Sequence, residues 1–162
     1  MTELQLASVE DSEKLGAALA RSVPWAAPRA LTLFLTGELG TGKTTLARGL
    51  LRALGVDEVV RSPSYTLVES YEPAGHRVLH LDLYRMGGAA DLEALGLRDE
   101  LDKGVLLLVE WPEQAPSMLP IPDLQVSLRV AGEGRIARLE VHTEIGAGWL
   151  SATATRPKPK NL

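Results

Sequence analysis

Gly37-Glu38-Leu39-Gly40-Thr41-Gly42-Lys43-Thr44 is the stretch whose reading decides the fold, because it matches the pattern G-x-x-x-x-G-K-[ST] at every position. The spelling has a physical reason. Glycines let successive backbone N–H groups turn inward and form an anion-binding nest at a helix N-terminus. Lys43 brings a mobile positive charge to the β- and γ-phosphates of a nucleotide, and the Thr44 hydroxyl can ligate Mg²⁺. The flanks agree with the loop. Leu31-Thr32-Leu33-Phe34-Leu35 is an almost continuous apolar run, as in a parallel strand covered on both faces. Thr44–Leu54 places Leu46, Leu50 and Leu54 on one helical face, and Gly55 stands where a C-terminal cap belongs. Strand, phosphate loop and helix in succession predict an α/β fold of the P-loop type.

Further out, Ser8 and Asp11 resemble a capping box ahead of a helix over 9–22 carrying Leu15, Ala18 and Leu19, stopped by Pro24 and Pro28. Thr66–Tyr71 and Arg77–Leu83 read as extended, and Asp91–Leu101 as helical. Val105–Val109 is a second buried strand, closed by Trp111-Pro112. Leu124–Val130 and Arg135–Val141 flank Ala131-Gly132-Glu133-Gly134, a hairpin signature. Ligands in open α/β sheets bind outside the carboxyl ends of the strands, so Leu31–Leu35, Arg77–Leu83 and Val105–Val109 should end along one edge. The expected architecture is a mixed, mostly parallel sheet flanked by helices, with the late hairpin adding antiparallel strands.

The chain has 162 residues, enough for one domain with a real core. With no repeat or composition shift, that domain is expected over 1–155. Arg156–Leu162, with two prolines and three basic residues, is expected to be a disordered tail. Cysteine is absent, which excludes disulfides, thiol nucleophiles and Cys-ligated metal centres. The longest apolar runs fall far short of a membrane span, and Met1–Lys14 lacks the apolar core of a signal peptide, so the expected location is the cytoplasm. Net charge is −4, which provides no global basic field for a nucleic-acid backbone.

A P-loop needs a carboxylate at the end of a neighbouring strand. Asp82, in Val78-Leu79-His80-Leu81-Asp82-Leu83, has the look of one that holds Mg²⁺ through water. Glu110 ends the run Val105–Val109, where a buried carboxylate needs a charged partner such as Mg²⁺ or a water being deprotonated. Either could also be an ordinary solvated strand-end acid. Arg61-Ser62-Pro63-Ser64-Tyr65-Thr66 lies where switch loops sense the γ-phosphate, although Ser and Pro also make plain turns. Guanine readers carry Asn-Lys-x-Asp; here the sole asparagine is Asn161 and no Lys-x-Asp occurs, which favours adenine. His76, His80 and His142 show no metal-binding spacing, and His80 reads as structural. Trp25, Trp149 and Tyr71 read as packing residues.

Four blocks in order carry a closer likeness: Leu35-Thr36-Gly37 through Thr44-Thr45, Ser62-Pro63-Ser64-Tyr65-Thr66-Leu67-Val68, His80-Leu81-Asp82-Leu83-Tyr84-Arg85 and Val109-Glu110-Trp111-Pro112-Glu113. Together they resemble the TsaE family, and Gly134-Arg135-Ile136-Ala137-Arg138 is similar to a turn found in many members. The resemblance implies an ATPase required for threonylcarbamoyl modification of adenosine 37 in tRNAs that read codons beginning with A. It would act beside TsaD and TsaB, which carry the transferase chemistry and most of the tRNA. By position, the resemblance implies that Gly37, Glu38, Leu39, Gly40, Thr41, Gly42, Lys43, Thr44 and Thr45 bind ATP. Thr44, Asp82 and Glu110 would serve Mg²⁺, with Lys43, Asp82 and Glu110 catalytic. Thr66 would lie on the switch loop, Trp111 beside the catalytic carboxylate, Ser8 and Asp11 near the adenine, and Arg135 by the nucleotide. Two other readings stay open at this point: a small-molecule kinase recruiting Arg135 and Arg138, and a nucleotide-dependent regulatory switch.

Overall fold

The computed structural model describes residues 1–155, and the expected tail over 156–162 lies outside them. Its sheet grows from Val105–Glu110 (β5), buried at all six positions, as a strand apolar on both faces must be. Leu31–Thr36 (β2) and Arg77–Asp82 (β4) flank it in parallel, pairing Leu35 with Glu110 and Asp82 with Glu110. Leu124–Ala131 (β6) lies parallel on the outer side of β2, and Gly134–Val141 (β7) returns antiparallel from it as the expected hairpin. Thr2–Leu6 (β1) and Val68–Tyr71 (β3) close the two edges, each antiparallel to its neighbour. The seven-stranded order is β1-β7-β6-β2-β5-β4-β3. The strands' carboxyl ends therefore bring Thr36, Asp82 and Glu110 to one edge.

Alternation along β5 separates two cores. Leu106 and Leu108 face Val9–Arg21 (α1), Lys43–Ala53 (α2) and Glu144–Thr155 (α5), joining Leu19, Leu46, Leu50 and Trp149. Val105, Leu107 and Val109 face the opposite side with Leu79, Leu81, Leu92 and Leu97. The helices α1 and α2 meet at glycines. A Cβ on Gly16 would stand 2.2 Å from Leu46 O, and one on Gly49 would stand 2.2 Å from Glu13 O, so this crossing distance excludes any side chain. Trp149 and Tyr71 are buried, and Trp25 packs against the first core, as packing residues should.

Three elements differ from expectation. Asp91–Leu101 is two short helices, Ala89–Ala94 (α3) and Leu97–Glu100 (α4), because Gly96 between them takes a left-handed φ of 63°. The strand β1 and the helix α5 were not anticipated. Each owes its form to partners remote in sequence rather than to its own pattern.

Candidate nucleotide site

Where β2 ends, the chain turns through Gly37–Gly42 and enters α2. Gly37, Gly40 and Gly42 have φ of 141°, 77° and 101°, which a side chain would resist. At Gly37 there is also no room, because a Cβ would lie 2.4 Å from Leu128 O of the neighbouring strand. Gly42 caps α2 without a side-chain hydrogen bond, so the first-turn N–H groups of the helix point at the loop's concave side. Thr41 is buried and donates to Glu38 O at 2.9 Å, fixing the loop from within.

Lys43 is buried, and its Nζ donates to Gly37 O at 2.6 Å and Glu38 O at 2.9 Å. The same ammonium lies 4.3 Å from the centroid of the Trp111 ring. Burial pushes the Lys43 pKa below the usual lysine value, against the upward pull of Glu110, Glu113, Asp82 and Glu38.

The two strand-end carboxylates stand where the sequence argument needs them. Glu110 is 1% exposed, and both of its oxygens are engaged. Thr44 Oγ1 donates to Oε1 at 2.9 Å, and His80 Nε2 lies 2.6 Å from Oε2. Asp82 accepts from Ser62 Oγ and, at 3.0 Å, from the Tyr84 backbone N–H. Ser62 thus ties the loop 61–67 to the end of β4. Trp111 and Leu67 hold left-handed φ of 59° and 67°, each costing about 1–2 kcal/mol for a non-glycine residue. Leu67 is held there by hydrogen bonds to Pro63 O and from the Asp82 N–H, and Tyr84 packs on the Trp111 ring at 4.9 Å. Trp111 also lines the cavity at this edge, so its backbone strain belongs to a site that needs fixed geometry.

That cavity has a volume of about 420 Å³ and is lined by Gly40, Gly42, Lys43, Thr44, Thr45, Ser62, Asp82, Glu110 and Trp111, among others. A smaller one of about 220 Å³ adjoins it across Gly40, Gly42 and Thr45 and is bounded by Leu6, Ser8, Ser12, Glu133 and Arg135. Arg135 donates from Nη2 to Gly40 O at 3.1 Å, pinning the hairpin to the phosphate loop. Of the predicted residues, Gly37, Glu38, Asp11 and Thr66 line neither cavity. Asp11 accepts from the Ala7 N–H at 2.8 Å and donates its own N–H to Ser8 Oγ at 3.2 Å, so the pair acts as the cap of α1. Thr66 is exposed, and Ser62 and Ser64 face the cavity instead. His80, read from sequence as structural, touches Glu110 directly. Only the alternation His80-x-Asp82 on one strand face hinted at this.

Hydroxyl and carboxylate oxygens are the hard donors Mg²⁺ takes, and it needs only one or two carboxylates when phosphates complete its shell. Thr44 Oγ1 and Glu110 Oε1, already 2.9 Å apart, fit that role, with Asp82 beside Glu110 on the next strand. Among the described residues, no group of three or more His, Cys, Asp or Glu side chains converges as a metal cluster. None of their helices is long and apolar enough to cross a membrane.

Residues 6–138 match the family model described as threonylcarbamoyl adenosine biosynthesis protein TsaE. The chain belongs to the TsaE family. Its relatives include the tRNA threonylcarbamoyladenosine biosynthesis protein TsaE of Haemophilus influenzae, 40% identical over 76% of this chain and 78% of that protein. The protein of the same name from Borreliella burgdorferi is 31% identical over 79% of this chain and 94% of its own length. Among solved structures, the crystal structure of YdiB from Bacillus subtilis superposes with a TM-score of 0.73 at 23% identity, covering 94% of this chain and 93% of that one. That likeness spans nearly the whole of both chains and shows a shared α/β fold.

Proposed function

We propose that this chain is a Mg²⁺-dependent ATPase that supports threonylcarbamoyl modification of adenosine 37 in tRNAs reading codons that begin with A, working beside TsaD and TsaB. The observation that carries the ATPase reading is the convergence of Lys43, Thr44, Asp82 and Glu110 on one cavity behind a phosphate loop. Membership of a family whose relatives are named for tRNA threonylcarbamoyladenosine biosynthesis carries the cellular role.

Each residue has a task in this reading. The N–H groups of the loop and of the first turn of α2 cradle the phosphates, and Lys43 exchanges its two carbonyl acceptors for phosphate oxygens. Mg²⁺, held by Thr44 with Glu110 and Asp82 in support, would neutralise charge on the β- and γ-phosphates. Glu110 orients the attacking water and accepts its proton, a role for which a fixed carboxylate within hydrogen-bond reach is the requirement. The smaller cavity beside Ser8 and Arg135 takes the adenosine end. Trp111 closes the phosphate end and limits solvent around Lys43.

Depletion of the protein in cells, followed by mass spectrometry of bulk tRNA, tests the role. Threonylcarbamoyladenosine should fall on depletion and return with the wild-type gene but not with Lys43→Ala. Full restoration by Lys43→Ala would reject the reading.

A further inference from the structure

Among the described residues, His80 is a fully buried titratable side chain in contact with the candidate site that the proposed function leaves without a task. It is 0% exposed, on β4 between β5 and the edge strand β3, and its Nε2 lies 2.6 Å from Glu110 Oε2. An ionised carboxylate only accepts hydrogen bonds, so Nε2 carries the proton of this one. The other ring nitrogen, Nδ1, is buried and has no hydrogen-bond partner. A merely structural histidine would be expected to satisfy both nitrogens, because a buried polar atom without a partner costs about 1–3 kcal/mol. Here one nitrogen is left unsatisfied while the other is aimed at the carboxylate.

We propose that His80 is a positioning residue: it holds Oε2 of Glu110 so that Oε1 alone faces Thr44 and the cavity. This rests on the ATPase reading given above. The Thr44 hydroxyl, which now donates to Oε1, is also the hydroxyl suited to a cation, and its bond to Glu110 is the one open to rearrangement when substrate binds. The bond from His80 lies beneath, inside the sheet, out of reach of any ligand. It therefore fixes the rotation of the carboxylate about its last bond whether or not Thr44 is engaged elsewhere. A carboxylate free to rotate would present either oxygen and spend part of its time turned from the water. Hydrogen-bonded partners behind a ligating or catalytic group commonly matter by about 10–100-fold in activity or metal affinity.

The test uses the full-length chain in two arms. In the first, ¹H–¹⁵N spectra of the imidazoles, without nucleotide, should show one slowly exchanging, downfield Nε2 proton. His80→Gln should remove it, and Glu110→Gln should shift it while leaving the signals of His76 and His142 in place. An absent signal, or one indifferent to Glu110→Gln, overturns the proposal without any need for a His80 variant that folds. The second arm measures ATP hydrolysis and Mg·ATP affinity. His80→Leu should lower turnover about 10–100-fold with affinity within about threefold of wild type, and His80→Gln, whose amide can donate from a similar place, should recover most of the rate. In a Glu110→Gln background, which itself should cost about a hundredfold in hydrolysis, His80→Leu should cost nothing more. Equal losses from His80→Leu in both backgrounds would make it structural and overturn the proposal. Failure of the wild-type chain to bind Mg·ATP would reject the proposed function and the catalytic part of this inference with it, leaving the imidazole resonance to judge the His80–Glu110 bond alone.

Discussion

Lys43 concentrates the site's electrostatics in one ammonium. It holds two loop carbonyls, lies against the Trp111 ring, and is pushed toward its neutral form by burial while four acids pull it back. Lys43→Ala should weaken ATP binding by about a hundredfold or more, since two hydrogen bonds to a charged group are worth about 1.5–3 kcal/mol each. Fluorescent-nucleotide titration measures it, and unchanged affinity would remove the phosphate loop from the account. A second buried charge acts on the fold rather than the site. Asp123 accepts from Arg29 at 2.7 Å, from Thr143 at 2.6 Å and from the Thr32 N–H at 2.9 Å, tying the starts of β2, β6 and α5 together. Burial alone would raise its pKa, but these donors outweigh burial and leave it below the ordinary value. A depressed carboxylate contributes stability that is present above its unfolded pKa, about 3.9, and is lost as pH falls through the folded one. Thermal melts of the wild-type chain should therefore drop in Tm below about pH 4. Asp123→Asn should be less stable at pH 7 by about 1–3 kcal/mol, from donors left without their acceptor, and flatter across the acid range. An equal acid slope in both proteins would show that other carboxylates control it.

Among the elements, the α1–α2 crossing is the most demanding. Gly49→Ala would drive a methyl group into the Glu13 backbone, and the overpacking should cost about 1–3 kcal/mol, read as a Tm lower by several degrees. A neutral result would mean the helices can separate without loss. Much at this scale was legible in the sequence. The run Leu31–Leu35, the glycines after it and the 3.6-residue spacing of Leu46 and Leu50 are local signals, and they gave β2, the loop and α2 in their right places. The carboxylates Asp82 and Glu110 were legible for the same reason: each is a charge that ends an apolar run. What escaped depends on contacts. The strand β1 is exposed at four of its five positions and exists because β7 pairs with it. Helix α5 contains two glycines and two threonines, poor helix formers. It is held by the Trp149 indole N–H on Leu19 O at 3.0 Å and by the Ser22–Thr153 hydroxyl pair at 2.6 Å. His80 escaped because its meeting with Glu110 needs the register of β4 on β5, which no stretch of sequence displays.

For the whole molecule, charge and size set the terms. The chain carries 17 Lys and Arg against 21 Asp and Glu, and affinity for a phosphate backbone scales with the number of basic contacts. The isolated protein should bind tRNA weakly, and under the proposed function the grip would come from TsaD and TsaB. Phosphate release should rise when TsaB and TsaD are added together at matched concentration. Thr66 is exposed on the loop that Ser62 ties to Asp82 and lines neither cavity, so under the proposed function it would meet a partner rather than the nucleotide. Thr66→Ala should therefore lower the stimulated rate while leaving ATP affinity near wild type. A rate that ignores both partners, or an affinity loss as large as the rate loss, would contradict this division of labour.

The pairing of β1 with β7 has one more consequence, in time rather than space. Thr2 lies opposite Leu139 and Leu6 opposite Arg135, so β1 leaves the ribosome and waits for about 130 residues before its neighbour exists. At 5–20 residues per second that is a wait on the order of ten seconds. During it, α1, the phosphate loop and the parallel strands β2, β4 and β5 are all available to assemble, while Met1–Leu6 remains unpaired. Closing a loop of that span is also the costliest contact in the topology, so in refolding from denaturant β1 should be the last strand whose amides become protected from exchange. The smaller cavity is walled in part by Leu6 and Arg135, which makes that end of the candidate site the last part of the protein to come into being.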